Sequence, residues 1–179
     1  MSATLDSTGR AALALAREAV ERYVRRSLVT DPPAGLPPEL RQPSGVFVTL
    51  RTGGRLRGCV GTLATTRVDI AHEIVACAIA AATADPRFPS VGPAELGALE
   101  YEVDIVEPIE AVNGLTDLLP RVYGVVVEGK GQRGVLLPDL TGVETATQQV
   151  DIARSKAGLA AGAAVQLYRF RVRRFRGAG

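Results

Sequence analysis

The sequence contains few of the residues that build metal centres and disulfide frameworks. Among 179 residues there are two cysteines, one histidine, one methionine and no tryptophan. The two cysteines do not form a CxxC pair, which excludes a multi-disulfide scaffold and a four-cysteine zinc site. A single histidine likewise excludes a His-rich metal centre. We therefore predict no metal site, and no motif identifies a cofactor.

Long apolar runs and a large net charge are also missing. The longest mainly apolar stretch, residues 74–84, is well short of the roughly 18 residues that indicate a membrane span. The N-terminal residues include an acid and hydroxyls where a secretory signal would place positive charge and an apolar run. We therefore predict a cytoplasmic protein with no membrane contact. Its net charge of +2 is too small to indicate a polyanionic partner.

The chain does contain enough apolar material for a core. With 46% hydrophobic and 22% charged residues, it is typical of a globular protein rather than a disordered or fibrous one. Its length fits a single domain over residues 1–179. Within that domain we predict disorder for residues 1–8 and a proline-rich surface connection for residues 30–45, where five prolines interrupt regular pairing.

Periodicity and turn signals predict helices inserted between β-hairpins in the first half of the chain. Apolar residues at helical spacing, ending at Leu28, predict an amphipathic helix over residues 8–29. Gly53-Gly54 joins two strands as a hairpin. A second helix over residues 68–84 follows, with Thr66 and Asp69 at capping-box spacing.

The second half repeats this alternation. After a strand over residues 100–106, a second hairpin pairs residues 123–128 with residues 134–137. A capping box at Thr141-Gly-Val-Glu144 predicts the start of a third helix, which Gly158 ends. This order favours an α+β fold with a mostly antiparallel sheet flanked by helices, with room for a smaller subdomain.

Two glycine patterns resemble nucleotide-binding motifs but stand in the wrong context. Gly129-Lys-Gly-Gln-Arg-Gly134 matches GxGxxG, and the overlapping residues 124–130 match most of a Walker A sequence. Both motifs need glycines between a strand and a helix, whereas these glycines join two strands. We interpret them as turn residues and predict no nucleotide site.

Arginines are concentrated near the C-terminus, at positions 169, 171, 173, 174 and 176. Alternation with apolar residues predicts one strand with an arginine face and an apolar face. A solvated strand whose charges discourage edge pairing is the favoured interpretation. Nucleic-acid binding is the weaker alternative, because no aromatic RNA-binding motif accompanies the arginines.

The segment Arg55-Leu-Arg-Gly-Cys-Val-Gly61 carries the strongest chemical signal. Strand alternation predicts that Leu56, Gly58 and Val60 face the core and that Cys59 shares the other face with Arg57. A neighbouring guanidinium favours the nucleophilic thiolate. Gly58 and Gly61 would leave room for a ligand or another backbone. The alternative is that Cys59 is an inert, buried small hydrophobe.

Two residues of the 68–84 helix, Cys77 and His72, also have assignable roles. Cys77 projects from the core side of the 68–84 helix, so we predict a structural thiol and no disulfide with Cys59. His72 falls with Asp69 and Glu73 on the opposite arc and is expected to be solvated.

The loop after this helix is expected to be rigid. In Asp85-Pro-Arg-Phe-Pro89, two prolines restrict the backbone and hold Asp85 and Arg87 in fixed directions. Asp85 and Arg87 then either lock the turn as an ion pair or place Arg87 for anion binding.

The chain resembles the AMMECR-type domain family in four ordered motifs. These are Leu56-Arg-Gly-Cys-Val-Gly61, Asp85-Pro-Arg-Phe-Pro89, Arg133-Gly-Val-Leu-Leu-Pro138 and Lys156-Ala-Gly-Leu159. The resemblance covers about residues 10–175 and implies an α+β fold with an antiparallel sheet, sometimes described as two unequal subdomains. It implies no settled activity. It does imply partners, because bacterial and archaeal relatives are often encoded beside a Memo-type protein and a radical SAM protein.

The sequence departs from this family in three places. Tyr123-Gly124 stands where many relatives have His-Gly, Ser155 stands where bacterial relatives often have Cys, and the family's common Trp is absent. A mechanism that pairs Cys59 with a histidine or a second cysteine is therefore not expected.

Two functions remain open from the sequence. The first is a thiol-dependent enzyme or thiol carrier for a small anionic molecule, with Cys59 and Arg57 catalytic and with Gly58, Gly61, Asp85 and Arg87 binding substrate. The second is a non-enzymatic binding module that works with Memo-like and radical SAM proteins.

Overall fold

The computed structural model describes residues 5–177, which divide into two compact units. The first unit contains the chain up to Val106 and again from Arg173, and the second unit is Glu107–Val172. Each unit contains one four-stranded sheet. The predicted α+β class with antiparallel pairing and flanking helices is confirmed.

The first unit is built from two helices packed on one sheet. The strand order of this sheet is β2-β1-β3-β8, which leaves β2 at an edge. The elements are α1 (Ser7–Arg26), β1 (Val46–Thr52), β2 (Arg55–Gly61), α2 (Ile70–Thr83), β3 (Leu99–Val106) and β8 (Val172–Gly177), with 3₁₀ segments at Pro38–Arg41 and Pro93–Ala98.

One face of this sheet forms the core against the helices. Val46, Val48 and Leu50 alternate along β1 and are fully buried together with Val103 of β3 and Ile74 of α2. Every second side chain of β1 therefore points into the core, as the alternation of a strand with one buried face requires.

Helix α1 begins and ends at polar caps rather than at the predicted positions. The Asp6 side chain accepts a hydrogen bond from the backbone N–H of Gly9 (2.7 Å), so Ser7 and Thr8 are helical although disorder was predicted for them. The prediction for residues 1–4 lies outside the described residues. At the other end Ser27 adopts a left-handed conformation (φ 54°), and Leu28, which periodicity placed on the buried face, is half exposed.

The start of α2 also differs from the prediction. Asp69, not Thr66, is the N-cap, and its carboxylate accepts from the backbone N–H of His72 at 2.9 Å. Glu73, which helical spacing placed with His72 on the arc opposite the core side, is 1% exposed. It accepts hydrogen bonds from Thr62, from the hydroxyl and backbone N–H of Thr66 and from the backbone N–H of Arg67, so it fastens the loop before the helix. Burial raises the pKa of Glu73, but these bonds outweigh it and lower the pKa.

The second unit is a smaller sheet covered by one helix. Its strand order is β4-β7-β5-β6, and α3 packs on β5 and β6 around Val125, Val127 and Val150. The elements are β4 (Glu110–Val112), β5 (Gly124–Gly129), β6 (Gln132–Leu136), α3 (Ala146–Lys156) and β7 (Gln166–Phe170), with a 3₁₀ segment at Leu115–Asp117.

Both predicted hairpins are present and turn through two residues of positive φ. Gly53 and Gly54 have φ of 55° and 74°, and Lys130 and Gly131 have 51° and 73°, as two-residue hairpin turns of type I′ require. The glycines of the GxGxxG pattern therefore lie in or beside a strand turn, which agrees with the rejection of a nucleotide motif.

The capping box of α3 lies four residues later than predicted. Thr145 and Gln148 form the reciprocal bonds of the box, whereas Thr141 and Glu144 were expected to. The predicted end is confirmed, because Gly158 follows the helix with φ 69°.

The arginine-rich C-terminal segment is two strands, not one. It breaks at Arg171. The strand before the break, β7, belongs to the second sheet, and the strand after it, β8, belongs to the first. No helix in the described part of the chain has the length and apolarity to cross a bilayer.

Candidate functional site

A bulge in β2 decides which side chains share a face with Cys59. Cys59 pairs with Thr49 and Gly58 pairs with Leu50, but the next pair is Leu56 with Arg51, so Arg57 is an extra residue. The shift puts Leu56 on the face of Arg51 and Cys59. Simple alternation had predicted a core position for Leu56, and it is not part of the packed core of the first unit.

Cys59 lies on the sheet face opposite α2. It is half-buried, in a row that continues through Thr49 of β1 to Glu102 of β3. The Thr49 hydroxyl donates a hydrogen bond to Cys59 Sγ at 3.3 Å, and Thr49 itself is 3% exposed. A hydroxyl aimed at sulfur stabilises the thiolate more than the thiol, because the bond to a charged acceptor is stronger.

Asp85 connects Cys59 to Arg87. One oxygen of its buried carboxylate accepts from the backbone N–H of Cys59 (2.8 Å), a group on the exposed edge of the sheet. The same carboxylate accepts two bonds from the Arg87 side chain, at Nε (2.9 Å) and Nη2 (2.7 Å). These bonds from Arg87 outweigh burial and hold the pKa of Asp85 well below its usual range.

Arg87 is the cation beside the thiol that solvent can reach. Its side chain is 54% exposed although Asp85 holds two of its nitrogens. The hydrogen bonds to the Asp85 carboxylate outweigh burial and raise the pKa of Arg87. The predicted ion pair therefore locks the loop and, at the same time, places a guanidinium near the sulfur.

Arg57 has a different environment from the one predicted. It forms a two-point ion pair with Glu95, with Nε–Oε2 at 2.7 Å and Nη2–Oε1 at 3.0 Å. Its guanidinium also lies 5.9 Å from the centre of the Phe88 ring. Glu95 is 38 positions away in sequence and carries no local signal, so sequence reasoning missed it.

The space beside the two predicted binding glycines is filled by protein. A Cβ at Gly58 would lie 2.1 Å from the carbonyl oxygen of Ala81 on α2, and one at Gly61 would lie 2.3 Å from the Phe47 ring. Of the two options that the sequence left open, the structure shows close approach of protein atoms at both positions. We therefore leave Gly58 and Gly61 out of the proposed site.

Cys77 and His72 lie in other surroundings. Cys77 is buried and donates to the Val46 carbonyl (3.6 Å), and burial raises the pKa of Cys77 to about 12. The Nδ1 atom of His72 lies 2.5 Å from Asp69, at the start of α2. Neither residue belongs to the Cys59 row.

Sequence reasoning also missed the charges that continue this row. Buried Glu102 and Asp104 face Arg174 and Arg176 of β8, and Arg174 holds Asp104 at two points, 2.7 and 2.8 Å. Burial raises the pKa of Asp104 despite these bonds. The signal was present in the sequence, because residues 100, 102 and 104 are acidic at strand spacing. Two of the C-terminal arginines are thereby neutralised within the chain.

These residues form a thiol with a hydroxyl donor on one side and a braced, exposed guanidinium on the other. Such a set can support a thiolate nucleophile and hold an anion. Within residues 5–177, no group of three metal-ligating side chains is placed to hold a metal ion.

A sequence model of the AMMECR1 family matches residues 13–177. The chain belongs to the AMMECR1 family. A protein of Thermotoga maritima is 46% identical over 160 residues, which cover 88% of this chain and 92% of that protein. The Clostridium acetobutylicum protein CA_C1420 is 39% identical over 147 residues, 81% of this chain but 31% of the relative.

The fold of this family member matches a crystal structure. Uncharacterized protein PH0010 from Pyrococcus horikoshii has a TM-score of 0.87 and 30% identity, covering 95% of this chain and 91% of the other. The predicted resemblance to the AMMECR-type family is confirmed by the family match and by this fold.

Proposed function

We propose that this AMMECR1-family protein uses Cys59 as a nucleophilic or carrier thiol for a small anionic molecule. The observation that carries the proposal is the placement of Cys59 Sγ. The sulfur accepts a hydrogen bond from the Thr49 hydroxyl. The backbone N–H of Cys59 donates to the Asp85 carboxylate, which also accepts from Arg87.

Each residue has a separate role in this proposal. Thr49 stabilises the thiolate by donating to sulfur, and Asp85 positions both the Cys59 backbone and the Arg87 side chain. Arg87 binds the anionic group of the substrate, because Asp85 occupies its Nε and Nη2 edge and leaves the Nη1 side toward solvent. Arg57, paired with Glu95, contributes to the positive surroundings but is held by its own carboxylate.

The second candidate function is a binding module that works with Memo-like and radical SAM proteins. Two observations favour it. The Cys59 strand is an edge strand, where a partner chain can approach. The match also covers only 31% of the Clostridium relative, as expected of a module that is joined to other domains. Asp85 occupies the edge N–H of Cys59, so a partner at this position would contact side chains instead of adding a strand.

Thiol reactivity separates the two functions, and the chain supplies its own control. Iodoacetamide labelling of each cysteine is followed by mass spectrometry from pH 5.5 to 9.5 in the full chain. We expect fast labelling of Cys59 with a midpoint below that of a model thiol, and no labelling of buried Cys77 in the folded protein. Cys59→Ser should remove the fast reaction, and Cys77→Ser should leave it intact.

Two further variants test the assigned roles. Thr49→Val should slow labelling at pH 7 by about threefold to tenfold, because a typical protein hydrogen bond contributes about 0.5–1.5 kcal/mol net of its replacement by water. Arg87→Gln should reduce labelling by anionic iodoacetate more than labelling by neutral iodoacetamide. A Cys59 that reacts no faster than a model thiol at pH 7 would exclude the enzyme and carrier and favour the binding module.

A further inference from the structure

A separate cavity lies wholly within the second unit, where β5 begins and β7 ends. Its volume is about 290 Å³. Phe170, which is 1% exposed, forms its base and pairs in register with Gly124 of β5. A Cβ at Gly124 would lie 2.4 Å from the Phe170 ring. The base of the cavity is therefore fixed by close packing and not by a flexible loop.

Tyr123 is held in the wall of this cavity by two arginines. The guanidinium carbons of Arg169 and Arg171 lie 4.5 and 5.0 Å from the centre of its ring. Arg169 is itself fixed, because it donates to Glu110 (3.0 Å) and to the Asp117 carbonyl (3.0 Å). Arg169 therefore lines the cavity, but its charge is already neutralised by Glu110.

Arg171 and Glu107 leave two opposite charges facing this cavity. Their backbones are joined, since the Glu107 N–H donates to the Arg171 carbonyl at 2.9 Å. Arg171 Nη2 instead donates to the Tyr123 hydroxyl at 2.9 Å, which turns its guanidinium toward the ring. Among the described residues, neither Arg171 nor Glu107 takes part in a direct ion pair. Tyr123 thus keeps two neighbouring opposite charges apart.

We propose that this cavity binds a small zwitterion of the α-amino acid class. The carboxylate of the ligand pairs with Arg171, and its ammonium group pairs with Glu107. A volume of about 290 Å³ is at the small end of ligand pockets, roughly 300–1,000 Å³, and suits a single amino acid rather than a nucleotide or peptide. The site is independent of Cys59.

The test is a titration of the full chain, ¹⁵N-labelled, with the standard L-amino acids. The tightest one is then compared with its two truncated analogues, the carboxylic acid without the amino group and the amine without the carboxylate. We expect the amino acid to bind at least about tenfold more tightly than either analogue, with shifts at Tyr123 and Arg171. Each lost charge contact of about 1.4 kcal/mol corresponds to that factor.

Three variants assign the charges. Arg171→Gln should weaken the amino acid and the acid analogue at least about tenfold, whereas Glu107→Gln should weaken the amino acid and leave the acid analogue unchanged. Tyr123→Phe keeps the ring but releases Arg171 toward Glu107, so it should weaken the amino acid about threefold or more. Arg121→Gln, at an exposed arginine paired with Glu144, is the matched control and should change nothing.

Three results would overturn the proposal. The first is an absence of binding by every standard amino acid at 10 mM. The second is an acid analogue that binds as tightly as the amino acid, which would indicate a simple anion site. The third is an Arg171→Gln variant that binds as tightly as the unchanged protein.

Discussion

The two units of the molecule repeat one arrangement, but the row of side chains that contains Cys59 in the first unit is apolar at the matching hairpin positions of the second. In each unit a hairpin is followed by a helix, and then by a strand that pairs antiparallel with the first strand of the hairpin. These elements are β1, β2, α2 and β3 in the first unit and β5, β6, α3 and β7 in the second. What the units share is therefore a feature of folding, and what they do not share needs another explanation.

The shared features are those of close packing. The second strand of each hairpin carries a glycine under a helix carbonyl, Gly58 beneath Ala81 and Gly134 beneath Ala153. Each glycine pairs with a buried apolar residue of the first hairpin strand. Gly58 pairs with Leu50, and Gly134 pairs with Val127. Gly58 is thus matched in a unit that has no thiol beside it, which assigns Gly58 to the packing of the helix.

The residue after the glycine is where the units diverge. In the first unit the row is Cys59, Thr49 and Glu102, and in the second unit it is Val135, Val126 and Tyr168. The same scaffold is therefore compatible with an apolar pair at the hairpin positions. Arg57, the bulged residue of β2, has no counterpart in β6, where the pairing is regular. The arrangement that the two units share therefore requires neither the bulge nor the polar pair of Cys59 and Thr49.

The largest expected effect comes from the buried charges of the first sheet, which the second sheet does not share in its hairpin row. Arg174→Met should lower the free energy of unfolding by about 3–5 kcal/mol, because it leaves Asp104, which is 1% exposed, as an uncompensated buried charge. Urea denaturation measures the loss.

The control for this change lies in the second unit. Arg133→Met removes an exposed pair with Glu128 and should cost less than about 1 kcal/mol. Adding Asp104→Leu to Arg174→Met should restore most of the stability, since an apolar pair can replace a buried ion pair. Equal losses for the Arg174 and Arg133 variants would show that the polar face of the first sheet has no special electrostatic demand.

The shared glycines give the next largest effect. Gly58→Ala and Gly134→Ala should each lower the free energy of unfolding by about 3 kcal/mol, because the new Cβ would lie 2.1 and 1.9 Å from a helix carbonyl oxygen. Gly97→Ala, where a Cβ meets nothing within 4 Å, is the control and should be neutral or slightly stabilising. A neutral Gly58→Ala would mean that the two hairpins do not pack alike and that Gly58 is available to a ligand.

Asp85 has no equivalent in the second unit, and its removal should be pH-dependent. Asp85→Asn should lower the free energy of unfolding by about 2 kcal/mol at pH 7, because it weakens charge-assisted bonds to Arg87 and to the Cys59 backbone. Since the folded pKa of Asp85 is depressed, its stabilisation is present above the unfolded value of about 3.9 and is lost as the pH falls through the folded value.

The measurement is urea denaturation of both proteins from pH 7 to pH 2.5. The difference between Asp85→Asn and the unchanged chain should be constant from pH 7 to about pH 5 and should shrink below about pH 4. A difference that persists undiminished at pH 2.5 would show that the Asp85 charge is not what braces Arg87.

Local signals in the sequence predicted the scaffold better than the site. The two hairpins were predictable because Gly53-Gly54 and Lys130-Gly131 permit positive φ, which is a property of the turn residues alone. Leu56 was misplaced because the one-residue bulge at Arg57 reverses the facing of Leu56 relative to Gly58 and Cys59, and no residue type in β2 indicates the bulge.

The site could be predicted only as far as its residues are close in sequence. Asp85 and Arg87 are two positions apart, and their pairing followed from the rigid loop. The pair of Arg57 and Glu95 depends on how the chain folds back over 38 positions. The hydrogen bond from Thr49 to Cys59 depends on the strand register over 10 positions. The acidic stripe of β3 was readable, but its arginine partners lie about 70 residues on.

The smallest expected effect on stability is also the most direct exchange between the units. The double variant Cys59→Val and Thr49→Val gives the first row the Val–Val pair of the second, Val135 and Val126. Because both members of the hydrogen bond between Thr49 and Cys59 are replaced together, neither side chain is left lacking the other, and the free energy of unfolding should change by less than about 1 kcal/mol. Thr49→Val alone should behave similarly, since sulfur is a weak acceptor. The double variant should keep its unfolding midpoint in urea while losing all fast thiol chemistry. A loss of several kcal/mol would instead make the thiol and hydroxyl part of what holds the first sheet together, and the contrast between the two rows would then be structural.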